Sequence, residues 1–155
     1  MLTRKLEPAD TQAAADLVRR GFEAYVAPEW DAEAAREFVQ TDIGAQRMER
    51  LIVESAFTAG TFGGGGELLG LIIMPKPTWV ALLFVEPQLF RRGIARGLWT
   101  QARRFVLTVT PPVEAVDLNA STFAIGFYLE VGFVADQIVE SKGRRGTRMI
   151  WKVKT

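Results

Sequence analysis

Residues 78–119 constrain the fold more than any other part of this chain. The apolar run at 78–85 reads as a strand that stops before Pro87. A helical pattern follows over 93–106, with Ile94, Leu98, Ala102 and Phe105 on one face, and residues 114–119 read as a further strand. A strand, a helix and a strand in direct succession form a parallel crossover. An all-helical bundle and a simple antiparallel meander are therefore both ruled out.

The flanking segments extend this unit on both sides. Residues 2–6 alternate weakly as a first strand, and Pro8-Ala9-Asp10 turns the chain into a helix. Ala14, Leu17, Val18, Gly21, Phe22 and Tyr25 fall on one face of that helix, and Pro28 lies beyond its end. Asp31 is placed to cap a second helix carrying Phe38 and Val39, with Glu33 in the first turn where the dipole favours an acid. Residues 41–50 read as helical with an interruption near Gly44. Residues 51–59, 67–74 and 78–85 read as strands, the first two joined by four glycines, Gly63–Gly66. After the crossover come a short helix at 122–131, closed by Gly132, and two strands around Gly143–Gly146. The order β-α-α-β-β-β-α-β-α-β-β describes one mixed α/β (α+β) domain over residues 1–155, with no repeat and no linker.

Composition removes whole classes of chemistry. The 155 residues include no cysteine and no histidine. Disulfides, thiolate metal sites, cysteine nucleophiles and the Ser-His-Asp triad are excluded. Proton transfer must rely on carboxylate, tyrosine, lysine, water or the substrate. The longest apolar runs, 68–74 and 79–85, are too short for a membrane span, which needs about 20 residues. The polar N-terminus has no signal-peptide core, so a cytoplasmic protein is expected. The four glycines are not followed by a lysine and Ser/Thr pair, so they read as a hairpin loop and not as a P-loop.

The net charge of +1 hides an asymmetry. Residues 1–60 carry 11 acidic and 7 basic side chains, whereas residues 61–155 carry 7 and 12. Arg91, Arg92, Arg96, Arg103 and Arg104 cluster at and along the central helix. This pattern fits either a solvated helix face or an anion site. The start of that helix favours an anion. Its first N–H groups have no internal partner, Gly93 and Ala95 leave room for a bulky group, and Arg91, Arg92 and Arg96 surround it. The basic run Lys142, Gly143, Arg144, Arg145, Gly146, Thr147, Arg148 reads as a solvated hairpin tip, and no second basic element with interleaved aromatics points to nucleic acid.

Two motifs carry a family resemblance. Val85-x-Pro87-x-x-Phe90-x-x-Gly93-x-Ala95 resembles the signature Val-x-Pro-x-x-(Arg/Gln)-x-x-Gly-x-(Gly/Ala) of the Gcn5-related N-acetyltransferases. Downstream, Asn119-x-Ser121-x-x-Ala124-x-x-Phe127-Tyr128-x-x-x-Gly132-Phe133 is similar to a second motif of the same family. The order of elements matches that fold along nearly the whole chain. The resemblance implies a mixed six- to seven-stranded sheet with helices on both faces. It also implies a splay between the fourth and fifth strands that receives the pantetheine arm of acetyl-CoA. Arg91, Arg92, Gly93, Ile94, Ala95 and Arg96 would hold the pyrophosphate, and Phe84 and Val85 would offer backbone groups to pantetheine. Tyr128 would protonate the leaving thiolate, and Asn119 would bind the cofactor or order a water. Phe90 departs from the family pattern, which has Arg or Gln there.

The implied reaction is acetyl transfer from acetyl-CoA to a primary amine of a small molecule or peptide, by direct attack in a ternary complex and without metal. A non-catalytic acyl-CoA-binding regulatory domain is the alternative. The general base is left open among Asp117, Glu54 on the second strand, and water. The acceptor is expected against the first two helices, with Tyr25 and Trp30 either as pocket walls or as core aromatics. A homodimer is compatible with the family and undecided by the sequence. Neither nucleic acid nor membrane is expected as a partner.

Overall fold

The computed structural model describes residues 1–154. Strands β1 (Leu2–Arg4), β2 (Phe57–Phe62), β3 (Leu68–Met74) and β4 (Leu82–Val85) form an antiparallel sheet in the order β1-β2-β3-β4. Strands β5 (Ala115–Ala120), β6 (Val134–Ser141) and β7 (Arg144–Lys152) form a second antiparallel sheet in the order β5-β7-β6. One parallel bridge, Trp79 to Asp117, joins the two. The expected crossover is therefore present, but among the described residues its two arms pair only at Asp117, ahead of the first residue of β4. The seven strands make two sheets that diverge from a shared point.

Five α-helices cover the strands. They are α1 (Thr11–Tyr25), α2 (Ala32–Glu37), α3 (Ala45–Glu54), α4 (Ile94–Thr108) and α5 (Ile125–Glu130). α2 runs on into a π-helical turn at Phe38–Asp42. Leu17 and Val18 of α1 and Met48 and Ile52 of α3 pack with Leu71, Ile73 and Leu82 on one face of the first sheet. Leu98, Trp99, Ala102 and Val106 of α4 pack with Ile72, Val85, Val116 and Leu118 on the other. α4 thus spans both sheets, and each fully buried leucine such as Leu98 contributes about 1.5–3 kcal/mol.

One sequence expectation is corrected. Residues 51–54 are not strand but the last turn of α3, and β2 begins only at Phe57. Leu51, Ile52 and Val53 have strand-forming side chains, yet Met48 and Ile52 lie one helical turn apart and are both buried. Packing of that helical face decides the outcome. The basic tail also differs from a loop. Only Lys142 and Gly143, both at positive φ, form the tip, and Arg144 to Lys152 are strand. Among the described residues no helix is long and apolar enough to cross a membrane.

Candidate functional site

The site is built where β4 and β5 part. Asp117 N–H donates to Thr78 O at 2.8 Å, and Val80 N–H donates to Asp117 O at 3.1 Å. Beyond this point Leu82–Val85 pairs only with β3, and the end of β5 only with β7. Ala81 N–H donates to Ile73 O, although Ile73 already faces Leu82. Two residues opposite one give a bulge, which bends a strand away from its neighbour. The facing edges of β4 and β5 are left open.

Ladder parity decides which groups line the opening. Glu86 N–H donates to Leu69 O, and Phe84 faces Leu71 in the same register. Antiparallel pairing alternates along a strand, so the Phe84 amide and carbonyl turn to β3, while those of Leu83 and Val85 turn to the split. Val85 meets the expectation for a free backbone edge. The Phe84 backbone does not, because β3 takes its polar groups. The Phe84 ring instead packs on Gly21 of α1, where a Cβ would lie 2.5 Å from the ring. Leu83 shares this edge although the sequence reading did not name it, because its parity follows only from the register of β4 against β3.

The open edge leads directly to a helix start. Pro87–Leu89 forms a single tight turn, Arg91 adopts φ +66° and Gly93 φ +81°, and α4 begins at Ile94. The helix-opening hydrogen bond runs from Gly97 N–H to Gly93 O at 2.9 Å. No side chain caps the helix, so the N–H groups of Ile94, Ala95 and Arg96 are free for an anion. Arg91, Arg92 and Gly93 are exposed around them. Ile94 buries its side chain and can offer only its backbone. Arg96 is less available, since it reaches Glu130 of α5 at 3.5 Å. The turn fits a diphosphate: donors point outward, positive charge surrounds them, and no Cβ stands in front of Gly93.

Tyr128 projects from α5 into the cluster that holds Val85 of β4 and Leu118 and Ala120 of β5. Its ring meets Phe127 and Phe133 edge-on at 5.3 and 5.4 Å. The residue is only 7% exposed, and this burial pushes the phenol well above its ordinary value. It therefore stays protonated and able to donate across the neutral range. Asn119 is exposed and points to the other face of β5, away from Leu118 and Ala120. The fold does not bring its side chain to Tyr128.

The remaining expected residues separate by role. Tyr25, at the end of α1, stacks on Phe123 at 4.2 Å, and Phe90 lies 5.5 and 5.2 Å from the two rings. Phe90, in place of the family's Arg or Gln, thus completes an aromatic cluster that reaches from the β4 side of the split to the β5 side. Trp30 is a tie: its indole N–H donates to Arg145 O at 2.8 Å and its ring packs on Phe22 and Phe38. Glu54 is corrected, since it ends α3 and does not lie on a strand. Its side chain is 66% exposed and, among the described residues, paired only with Arg50. Asp117 faces the same side as Asn119, and Arg148 binds its Oδ2 at 2.5 Å.

Further contacts that no local pattern announces tie the segment after α1 to the far end of the chain. Asp31 N–H donates to Gly143 O at 2.8 Å, and Arg144 binds Asp42 at 2.8 Å and lies over the Trp30 ring. The Glu29 carboxylate accepts hydrogen bonds from the Thr122 amide and hydroxyl.

A family model described as an acetyltransferase (GNAT) domain matches residues 26–153. The chain belongs to the GNAT acetyltransferase family. Solved structures agree on the fold of this GNAT enzyme. A PaiA N-acetyltransferase from Thermoplasma acidophilum, in complex with coenzyme A, superposes with a TM-score of 0.80 at 16% identity, covering 98% of each chain. A GCN5-related N-acetyltransferase from Rhodopseudomonas palustris gives 0.80 at 18%, covering 98% of this chain and 95% of that one. A spermidine N-acetyltransferase from Vibrio cholerae gives 0.66 at 16%, covering 98% and 95%.

Proposed function

We propose that this GNAT enzyme transfers the acetyl group of acetyl-CoA to a primary amine by direct attack in a ternary complex, with Tyr128 as the general acid. The observation that carries the reading is the open edge of β4 running into the uncapped start of α4. The Leu83 and Val85 backbone groups would pair with the amide-bearing pantetheine arm. The N–H groups of Ile94 and Ala95 would hold the pyrophosphate, with Arg91 and Arg92 supplying charge. The similar PaiA enzyme was solved with coenzyme A, which supports the same donor here.

The donor supplies an activated thioester. As the amine nitrogen bonds to the carbonyl carbon and the carbon–sulfur bond breaks, Tyr128 gives its proton to the sulfur. Solvent then restores the phenol, and the proton shed by the amine leaves through water. Cysteine is absent from the chain, and no histidine is present to activate a serine, which favours direct attack over an acetyl-enzyme.

The test pairs calorimetric titration of acetyl-CoA with a thiol-release assay over a library of amines. Tyr128→Phe is expected to lower kcat by about 10²-fold or more, the usual scale for a general acid, and to leave acetyl-CoA affinity unchanged. Near-normal turnover in this variant would remove Tyr128 from the mechanism. Tight acetyl-CoA binding with no thiol release on any amine would instead favour a non-catalytic binding domain. Above neutral pH, the raised phenol predicts no alkaline loss of kcat through Tyr128 until well beyond the ordinary tyrosine range.

A further inference from the structure

Three aromatic rings meet at the rim of the split, each from a different segment. Tyr25 is the last residue of α1, Phe90 lies in the turn before α4, and Phe123 follows β5. Tyr25 and Phe123 stack with their planes 23° apart, and Phe90 is tilted against both. Phe90 also packs on the core that holds Tyr128, Val85 and Ala120. Among the described residues Tyr25 and Phe123 join neither core, and Phe123 leaves 56% of its surface in water. One exposed phenylalanine is ordinary. A stacked pair that is also tied down is not. Glu29, four residues after Tyr25, accepts hydrogen bonds from the amide and the hydroxyl of Thr122, the residue before Phe123. The stack and the tie join the same two segments, so the pair is held in place before any ligand arrives.

The rings stand on the side of the split that an acceptor can reach. Tyr128, Val85, Leu118 and Ala120 fill the side toward α4 with buried core. α1 lies on the opposite side, where Gly21, one turn before Tyr25, carries the Phe84 ring. Asn119 is exposed on that side as well. Both Glu29 oxygens already accept from Thr122, so the rim offers an apolar platform in place of a free carboxylate. A flat aromatic group suits such a platform, because rings pack by offset stacking or edge-on contact.

We infer that Tyr25, Phe90 and Phe123 form the wall that selects the acceptor, and that the preferred acceptors are primary amines carrying an aryl group. The aryl group packs on the Tyr25–Phe123 stack, and the amine points inward along the split. The inference rests on the acetyl-transfer reading and names the substrate class of that same site. It also gives Phe90 a task. Where the family has Arg or Gln, this chain places a ring that seats the other two against the core of Tyr128.

The experiment uses the full chain with acetyl-CoA and two probes, 2-phenylethylamine and ethylamine, which differ only in the ring. The expected KM for 2-phenylethylamine is lower by about tenfold or more, the scale of burying one aromatic ring. Phe123→Ala should raise that KM about tenfold and leave the KM of acetyl-CoA within twofold. Phe123→Tyr should restore most of the loss, which separates recognition from misfolding. Phe90→Gln, which supplies the family's residue, should raise the 2-phenylethylamine KM several-fold, again with the acetyl-CoA KM within twofold. Equal KM values for the two amines, or a Phe123→Ala variant within twofold of the parent, would overturn the assignment. So would a larger rise in the acetyl-CoA KM than in the amine KM, since the rings would then serve the donor.

Calorimetric titration of 2-phenylethylamine into the coenzyme A-saturated protein reads the platform without turnover. Binding that Phe123→Ala abolishes would support the platform even if no acetyl transfer occurred and the catalytic reading fell. Absence of binding to the parent protein would sink the platform whatever the catalytic result.

Discussion

The turn from Phe90 to Ile94 and the segment from Val26 to Asp42 both border the split, yet opposite means hold them. The turn is shaped by its own backbone. Two residues at positive φ and a helix that starts without a cap aim the N–H groups outward. The second segment is shaped by distant partners. Trp30 bonds to Arg145, Asp31 to Gly143, Asp42 to Arg144 and Glu29 to Thr122, all across at least 93 positions of sequence. A local backbone device suits a constant ligand such as the diphosphate of the proposed donor. A segment tied by side chains can change without disturbing the core. The two borders are thus held by different means, and they approach each other where Phe90 lies against Tyr25.

The largest effects should come from the donor border. Gly93→Val puts a β-branched side chain at φ +81° although a Cβ there meets nothing within 4 Å. The cost is therefore conformational, about 1–2 kcal/mol for left-handed backbone and more for a branched side chain. Acetyl-CoA affinity should fall more than tenfold and the thermal midpoint should drop by several degrees. An unchanged calorimetric titration would show that the turn does not hold the donor.

Next, Arg92→Ala should weaken acetyl-CoA binding several-fold, and the loss should shrink at high salt, since exposed charges are screened beyond about 8 Å at physiological ionic strength. A salt-independent loss would point to a packing role instead.

The segment tied by distant partners should respond differently. Arg144→Ala removes the contacts to Asp42 and Trp30, and Asp42 normally pushes the Arg144 guanidinium still further toward its charged form. Hydrogen exchange should then speed up over residues 27–42. Acetyl-CoA affinity should not change. Equal damage to donor binding would break the separation between the two borders.

The smallest effect lies far from the split and serves as a control. Asp10 is held below its ordinary value of 3.8, first by the Arg4 hydrogen bond. Its folded state thus binds the proton less readily than its unfolded state. The resulting stability is present above the ordinary value and is lost as pH falls through the lowered one. Asp10→Asn should flatten the acid limb of stability in denaturant titrations and leave both substrate affinities intact.

How much of this was legible follows from the same contrast. The turn was visible because Pro87, Gly93 and a sudden helical period state a local conformation. Tyr128 was a candidate through its place in a motif that resembles the family's. The strand reading of residues 51–54 failed because Leu51, Ile52 and Val53 suit either a strand or a helix, and only the pocket under Met48 and Ile52 chooses between them. Leu83 was hidden by a parity of one residue, which depends on how β4 registers against β3. Phe90 looked like a defect in a motif and proved to be one ring of an aromatic cluster with Tyr25 and Phe123.

By itself, then, the amino-acid order determined the elements whose causes are local: the apolar strands, the amphipathic α4, the turn between Pro87 and Gly93 and the absence of any thiol or imidazole. Only the tertiary structure decided where β4 leaves β5, which backbone groups face the gap, and that Trp79 and Asp117, 38 positions apart, stand side by side. Local conformation depends on neighbouring torsions and side chains, which the sequence lists in order. A split between strands and a pair of groups across it depend on register and packing between distant segments, and these exist only once the chain has closed on itself.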